Sequence, residues 1–381
     1  MSALERAVNI DDLRLMAKRR LPRMVFDYID GGAEDEDTLT RNRARYKAWN
    51  LVPDVLVDVS HIETTTRVMG ADMAMPLIIA PTAATRLFHP RQGERAVAKA
   101  AAQRGLVYSI STLGSVSIEE IAALTPGPKW FQLYVWRDRE LVAGILERVR
   151  AAGFAGVILT VDVPVAGNRE RDPRNRFTVP PRINTKTVSQ VLAKPGYLAD
   201  MALSPKIGPA NFEDREIETD IMSFLDKQFD PSITWDYAAW LKETWGGPLA
   251  LKGIAQAVDA ERAVAAGADA VWISNHGGRQ LDGAPASIDC LPEIAARING
   301  RADIILDGGV RRGADIVRAL ALGADAVAIG RPYLYGVAAA GEAGANRALE
   351  ILGTELRRTM ALTGTPSLRA IERRHVRPAD S

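Results

Sequence analysis

Residues Ala265–Gly283 read AAGADAVWISNHGGRQLDG. The first ten combine a small-residue helix end, a glycine turn and an apolar run that stops at Ser274. The same order recurs as AAGFAGVILT from Ala151 and as ALGADAVAIG from Ala321. A repeated helix, turn and strand marks a fold assembled from like units. Outward from this stretch, eight strand-like runs can be read: Pro76–Thr82, Leu106–Ser111, Lys129–Val135, Gly156–Asp162, Pro248–Gly253, Ala270–His276, Asp303–Gly309 and Ala326–Pro332. Their centres are nearly continuously apolar, as strands buried on both faces must be, and a helix-like stretch follows each. After the second, Ser117 and Glu120 have the spacing of a capping box. Eight such units predict an α/β fold of the (β/α)8 TIM-barrel type. An open doubly wound sheet is the alternative, but no G-x-G-x-x-G follows the first strand and no Walker A motif occurs.

A chain of 381 residues suits one barrel domain spanning 1–381. Residues 1–75 read as an N-terminal helical extension, with Leu13, Met16, Leu21, Val25 and Ile29 at helical spacing, expected to cap the lower mouth or flank the barrel. Residues 177–232, after the fourth strand, exceed the ~12–15 residues usual for a connection and are expected to form a lid, a binding loop or a membrane-docking segment.

Hydrophobic residues at 47% and charged residues at 25% exclude a disordered chain. A net charge of +1 without a Lys/Arg run argues against a nucleic-acid partner. Cys290 stands alone, so neither a disulfide framework nor a cysteine metal cluster is available, which suits a reducing compartment, and no metal is expected. The N-terminus lacks a signal-peptide core, and no run approaches ~20 apolar residues. A cytoplasmic location is expected, with peripheral contact at the inner face of the cell membrane left open.

In a TIM barrel, chemistry sits at the C-terminal strand ends. Here those ends are polar: Thr82, Ser111, Gln132 with Tyr134, Thr160 with Asp162, Lys252, Ser274 with His276, Asp307 and Arg331. DGGVRRG (Asp307–Gly313) and IGRP (Ile329–Pro332) place Gly309, Gly330, Arg311 and Arg331 where barrels hold phosphate, between strands 7 and 8. A lysine ending a strand serves either as a Schiff-base amine or as a fixed charge against a cofactor that becomes anionic. Gln132, Thr160 and Ser111 favour the second reading, since amide and hydroxyls suit the rim of a flat heterocycle. Arg169 and Arg279 could fork a carboxylate between them.

Together these residues resemble the FMN-dependent L-2-hydroxy acid dehydrogenases and oxidases, the family of glycolate oxidase, flavocytochrome b2, bacterial L-lactate dehydrogenase and (S)-mandelate dehydrogenase. The resemblance runs from about Ile10 to Thr365 and rests on LPRMVFDYIDGGAEDEDTL, APTA, FQLYV, LTVDVP, NRERDPRNRF, LKGI, SNHGGRQLD, LDGGVRRGADIVRALALGA and IGRP, in that order. It implies FMN as cofactor and His276 as active-site base, with Asp162 stabilising its imidazolium. It implies Arg169 and Arg279 as the carboxylate clamp, with Tyr28 and Tyr134 bonding the substrate. Pro81, Thr82 and Ala83 would approach the flavin N5 edge. Ser111, Gln132, Thr160 and Ser274 would surround the ring, and Lys252 would meet its N1/O2 edge. Asp307 would hold the ribityl chain, and Gly309, Arg311, Gly330 and Arg331 the phosphate. Carbon-bound hydrogen leaving as hydride and leaving as a proton are both compatible with these roles.

Leu113 resembles the residue of lactate-using flavocytochrome b2, where mandelate dehydrogenase has a smaller one. L-lactate or a similar short acid is therefore expected, with an aromatic mandelate-type acid as the alternative. The length of 177–232 resembles a membrane-docking loop and implies a quinone acceptor, whereas Ala83 resembles the oxidases and implies oxygen. Relatives imply a homotetramer. A non-redox FMN-barrel isomerase and an inactive binding module are the alternatives from other classes.

Overall fold

The computed structural model describes residues 2–177, 185–212 and 230–379. Its centre is a closed, all-parallel barrel of β1 (Leu77–Ile79), β2 (Tyr108–Ser111), β3 (Lys129–Tyr134), β4 (Gly156–Thr160), β5 (Leu249–Ile254), β6 (Ala270–Ile273), β7 (Asp303–Leu306) and β8 (Ala326–Ile329). Neighbours in space are neighbours in sequence, and β8 closes on β1 through Val327 opposite Leu77. Alternation along each strand explains the apolar runs. On β6, Ala270 and Trp272 join the barrel interior, while Val271 and Ile273 belong to the layer packed under the helices. Small Ala250, Ala270, Ala326 and Ala328 leave the interior room for the indoles of Trp130 and Trp272.

The strands stop earlier than the apolar and polar runs suggest. Residues after Ile273, Leu306 and Ile329 leave the ladder, and left-handed backbone at His276, Gly277, Gly278, Gly308 and Gly309 turns them over the mouth. At Ser117 the hydroxyl caps Glu120 N at 3.2 Å. The Glu120 carboxylate pairs with Arg95.

Of residues 1–75, expected to form a helical extension, the helices end at Ala48 and three short strands, Trp49–Leu51, Thr66–Val68 and Ala71–Met73, follow. Helices α1 (Ile10–Arg20), α2 (Arg23–Asp30) and α3 (Asp37–Ala44) flank the barrel. Asn9 caps α1 by accepting from Asp12 N, and Lys18, Arg19 and Arg20 complement the dipole at its last turn. The buried stripe of α1, Ile10, Leu13 and Ala17, packs on the C-terminal helix Arg331–Thr363, and α2 rises to bring Tyr28 to the upper mouth. The lower mouth is closed by a ribbon of Thr66–Val68 and Ala71–Met73. Its Val68, Met69 and Met73 enter the interior cluster, and Met69 N donates to Asp303 Oδ2 at 2.6 Å.

Of the connection expected over 177–232, residues 178–184 and 213–229 lie outside the described residues. The part between them carries helices Thr185–Leu192 and Pro195–Ala202. It is anchored: Val191, Tyr197 and Ile207 are buried, Tyr197 donates to Leu87 O at 2.9 Å, and Gln190 accepts from Met24 N at 3.1 Å. Among the described residues, no helix is long and apolar enough to cross a membrane.

The C-terminal helix breaks at Ala340 and Gly341, and its two arms touch backbone to backbone at Gly336 and Gly344. A Cβ on either would overlap the other's carbonyl group. Gly344→Ala is therefore expected to lower stability by about 1–3 kcal/mol through overpacking. An unchanged unfolding midpoint in denaturant would show that the arms can part without cost.

Candidate active site

The upper mouth opens into a cavity of about 1320 Å³, counted to its open rim. Of the residues expected at the site, Tyr28, Pro81, Thr82, Ala83, Leu113, Tyr134, Arg169, Lys252, His276, Arg279, Asp307, Gly309, Arg311, Gly330 and Arg331 line it. Ser111, Gln132, Thr160 and Ser274 stand behind this wall, nearly fully buried, and bond to one another and to the floor. Ser111 Oγ donates to Gln132 Oε1 at 2.9 Å, and Gln132 Nε2 donates to Thr160 Oγ1 at 2.9 Å. The two hydroxyls hold the Gln132 amide between them. Lys252 Nζ donates to Ser274 Oγ at 3.0 Å, Ser274 Oγ donates to Asp307 Oδ1 at 2.8 Å, and the ammonium lies 3.5 Å from Asp307 Oδ2. Thr82 is held by the Tyr333 hydroxyl at 2.6 Å.

His276 sits in a left-handed conformation, φ +56°, uncommon for a residue with a Cβ. Such strain persists where surroundings over-determine it, and here His276 N bonds Ser274 Oγ at 3.0 Å while Nδ1 lies 3.0 Å from Asp162 Oδ1. The carboxylate accepts the Nδ1 proton, leaving Nε2 as the basic nitrogen. Gly253 makes room for this pair, because a Cβ there would press on the Asp162 side chain at 2.6 Å. Burial pushes the His276 imidazole below its ordinary value against the pull of Asp162, and Lys252 and Arg279 push the same way as burial. Burial pushes the Asp162 carboxyl up, but His276 and Lys252 outweigh it and hold the group below the usual carboxylate range.

Arg279 donates to Tyr28 O at 2.6 Å and lies 4.9 Å from the centre of the Tyr28 ring, with Arg169 5.8 Å from the same ring. Burial and repulsion from Arg169 lower the Arg279 guanidinium, although it remains a cation. Burial also keeps the Tyr134 phenol protonated, well above its ordinary range. Asp172, 3.8 Å from Arg169, is the nearby countercharge, and burial raises its carboxyl.

Two further residues hold the site together. Gln280 Nε2 donates to Val165 O at 3.0 Å and Gln280 Oε1 accepts from Gly167 N at 3.2 Å, tying the Arg169 loop to the Arg279 loop. Glu94 is fully buried and accepts from Thr85 N at 2.9 Å and Ser115 N at 2.7 Å, joining the loops that carry Ala83 and Leu113. Gln280 adjoins the Arg279 motif, which is its one sequence signal. Nothing in the sequence marks Glu94, whose partners, the backbone N–H groups of Thr85 and Ser115 and the Ser115 hydroxyl, lie on other loops.

At the opposite end of the cavity, Gly308 and Gly309 are left-handed, and a Cβ on Gly309 would overlap the Asn42 carbonyl. Arg311 Nε is buried without a partner, while Nη1 donates to Val310 O at 2.8 Å. Arg331 lines the same cavity, and its guanidinium donates to Ile29 O, Gly31 O and Gly277 O at 2.7–2.9 Å, bracing α2 against the His276 turn. Burial lowers its pKa to about 10. Gly330 has room for a Cβ beside the Thr82 methyl at 3.8 Å, so its place before the N-terminus of the last helix matters more than its missing side chain. An unpartnered guanidinium N–H, a helix N-terminus and a long cavity floored by a lysine fit a phosphate-bearing heterocycle such as FMN.

In histidine-labelled protein without substrate, the His276 ring is expected to titrate below about 6.5, the usual imidazole value. Asp162→Asn is expected to lower that midpoint further, since the carboxylate is what opposes burial. An NMR titration showing a rise in Asp162→Asn would refute this balance of forces.

A family model described as FMN-dependent dehydrogenase matches residues 17–378. A putative L-lactate dehydrogenase of Mycobacterium tuberculosis is 46% identical over 371 residues, covering 97% of this chain and 89% of the relative. An L-lactate oxidase of Nostoc sp. is 44% identical over 376 residues, covering 98% of each. The solved structure of the monotopic membrane protein (S)-mandelate dehydrogenase superposes with a TM-score of 0.94 at 38% identity, covering 98% of this chain and 100% of the other.

Proposed function

The chain belongs to the FMN-dependent dehydrogenase family and is an enzyme that oxidises a 2-hydroxy acid to the 2-oxo acid with FMN, and we propose that the acid is short and aliphatic, L-lactate or a near homologue. The supporting observation is the composition of the substrate side of the cavity. Leu113, Val163 and Phe88 line it beside the His276–Asp162 pair and the two arginines, leaving an apolar space that suits a methyl group. Both lactate-named relatives point the same way.

FMN, when bound, supplies the acceptor for the two electrons that leave the substrate. Lys252 would meet its N1/O2 edge, Pro81, Thr82 and Ala83 its N5 edge, and Asp307 its ribityl chain. Arg311, Arg331, Gly309 and the helix N-terminus after Gly330 would hold its phosphate. Ser111, Gln132, Thr160 and Ser274 act from behind, by fixing the side chains that reach the cavity. Arg279 and Arg169 take the substrate carboxylate in a two-armed fork, and Tyr28 and Tyr134 bond its oxygens. His276 Nε2 removes one proton from the substrate, and Asp162 at Nδ1 stabilises the imidazolium that results. A neutral ring is the competent base, and burial keeps it neutral in the free enzyme.

The acceptor is proposed to be a quinone at a membrane face, supported by the similarity to a monotopic membrane enzyme and by Leu192 and Leu203, which project from the anchored helices with 62% and 72% of their surface exposed. Ala83 on the cavity wall and the oxidase relative favour a second reading in which oxygen is reduced to hydrogen peroxide. Assembly as a homotetramer is the expectation for either. Deleting 188–207 would remove Val191, Tyr197 and Ile207 from the core, so Leu192→Asp with Leu203→Asp is the cleaner probe. Unchanged membrane partition in that variant would end the docking idea.

The function is tested by mixing holoenzyme anaerobically with L-lactate, L-mandelate and longer acids. Bleaching of the flavin absorbance is expected, fastest with L-lactate, and turnover in air with an added quinone but without peroxide would exclude the oxidase. A flavin left oxidised by every acid would overturn the redox reading. His276→Ala should retain FMN and lose about 10²–10⁴ of the rate or more. Arg279→Lys should raise KM about tenfold despite equal charge, because the planar fork is gone. If Arg279→Lys kept the wild-type KM, the clamp would have to lie elsewhere.

A further inference from the structure

Two tryptophans occupy the interior of the barrel, Trp130 from β3 and Trp272 from β6, both fully buried in one cluster. Their indole N–H groups differ. Trp130 Nε1 is buried with no hydrogen-bond partner, so that ring acts as filler. Trp272 Nε1 donates to Asp307 Oδ2 at 2.9 Å, at the floor of the cofactor cavity. Ser274 Oγ occupies the other oxygen, Oδ1, at 2.8 Å. Lys252 Nζ lies 3.5 Å from Oδ2, the oxygen that the indole holds. Three donors therefore compete for one buried carboxylate: an ammonium, a hydroxyl and an indole.

We propose that Trp272, by donating to Asp307, sets how much of the Lys252 positive charge remains free to act on the cofactor, and so tunes its reduction potential. Trp272 reaches the flavin only through Asp307 and Lys252 and is a positioning residue. The inference rests on the FMN reading above. Its physical basis is the low dielectric of the barrel interior, where a hydrogen bond to an ionised carboxylate is strong and an unmet one is costly. With the indole bond in place, part of the Asp307 charge is already satisfied. Without it, Oδ2 is left with Lys252 alone, the ammonium is drawn down and more fully cancelled, and the negative charge that the ring's N1 edge gains on reduction is less stabilised. Loss of the bond therefore lowers the potential.

Trp272→Phe and Trp130→Phe provide matched variants, since each trims a buried indole to a phenyl ring but only the first removes a hydrogen bond. Both are measured as FMN-loaded protein, by anaerobic redox titration against a reference dye. Trp272→Phe is expected to shift the equilibrium toward oxidised flavin by about tenfold, equivalent to about 30 mV for a two-electron couple. Trp130→Phe is expected to stay within twofold of wild type. If Trp272→Phe binds FMN with the wild-type potential, or if both variants shift alike, the tuning role is overturned and the FMN reading stands. Wild-type protein that takes up no FMN would instead sink that reading itself. Should Trp272→Phe fail to fold, β-(3-benzothienyl)alanine at position 272 keeps the bicyclic shape and replaces only the N–H by sulfur, and the same tenfold shift is expected from it.

Discussion

Charge is buried at the top of an apolar barrel, and the arrangement of the mouth follows from how that charge is met. Lys252 is nearly fully buried, and an ammonium so placed survives only beside a countercharge with its remaining protons bonded. Asp307 supplies the charge and Ser274 the hydrogen bond. Next to them His276 and Asp162 form a second pair, coupled to the first because Lys252 lowers both groups. The strand ends are polar because these two pairs must be completed there, and the strands shorten there because the residues completing them have left the ladder.

Placing those pairs requires close backbone approach. Gly253 lacks a Cβ where Asp162 lies, and Gly309 lacks one where the Asn42 carbonyl of α3 comes down. Arg331 then locks the end of α2 to the His276 turn with three carbonyl contacts. The N-terminal helices are thereby part of the site: Tyr28 enters the cavity from α2, stacked between aromatic neighbours and flanked by Arg169 and Arg279. An imidazole pushed below its ordinary range, two arginines facing one cavity and a fixed positive floor are three consequences of the same burial.

Much of this was legible in the chain. Apolar runs bounded by glycine turns locate all eight strands, since a strand buried on both faces has no other way to read. His276, Arg279, Lys252 and Arg311 were legible because each stands near the C-terminal end of such a run or in the turn that follows it, where the barrel directs side chains to one mouth. Less legible was the difference between residues that face the cavity and those that stand behind it. Ser111, Gln132 and Thr160 share the polar character of Thr82 and Asp307 but spend it on one another. Arg331 has the sequence neighbourhood of a phosphate ligand, and its bracing contacts to three carbonyls carry no mark in the chain. Glu94 and Gln280 carry no such mark because their partners lie on other loops and, the Ser115 hydroxyl apart, are backbone atoms without a residue-specific signal.

The barrel, its eight strands and the chemical groups at its mouth can be read along the chain, because period, burial and turn chemistry are local and repeat in every unit. Which of those groups pair is set by the packing of the strands against one another. Whether Asp307 serves Lys252 alone or also Trp272, and whether a tryptophan is filler or donor, depends on distances between strands that are far apart along the chain. A hydrogen bond is made or lost within a few tenths of an ångström, and that scale is set by packing across the barrel rather than by the order of residues in any one strand.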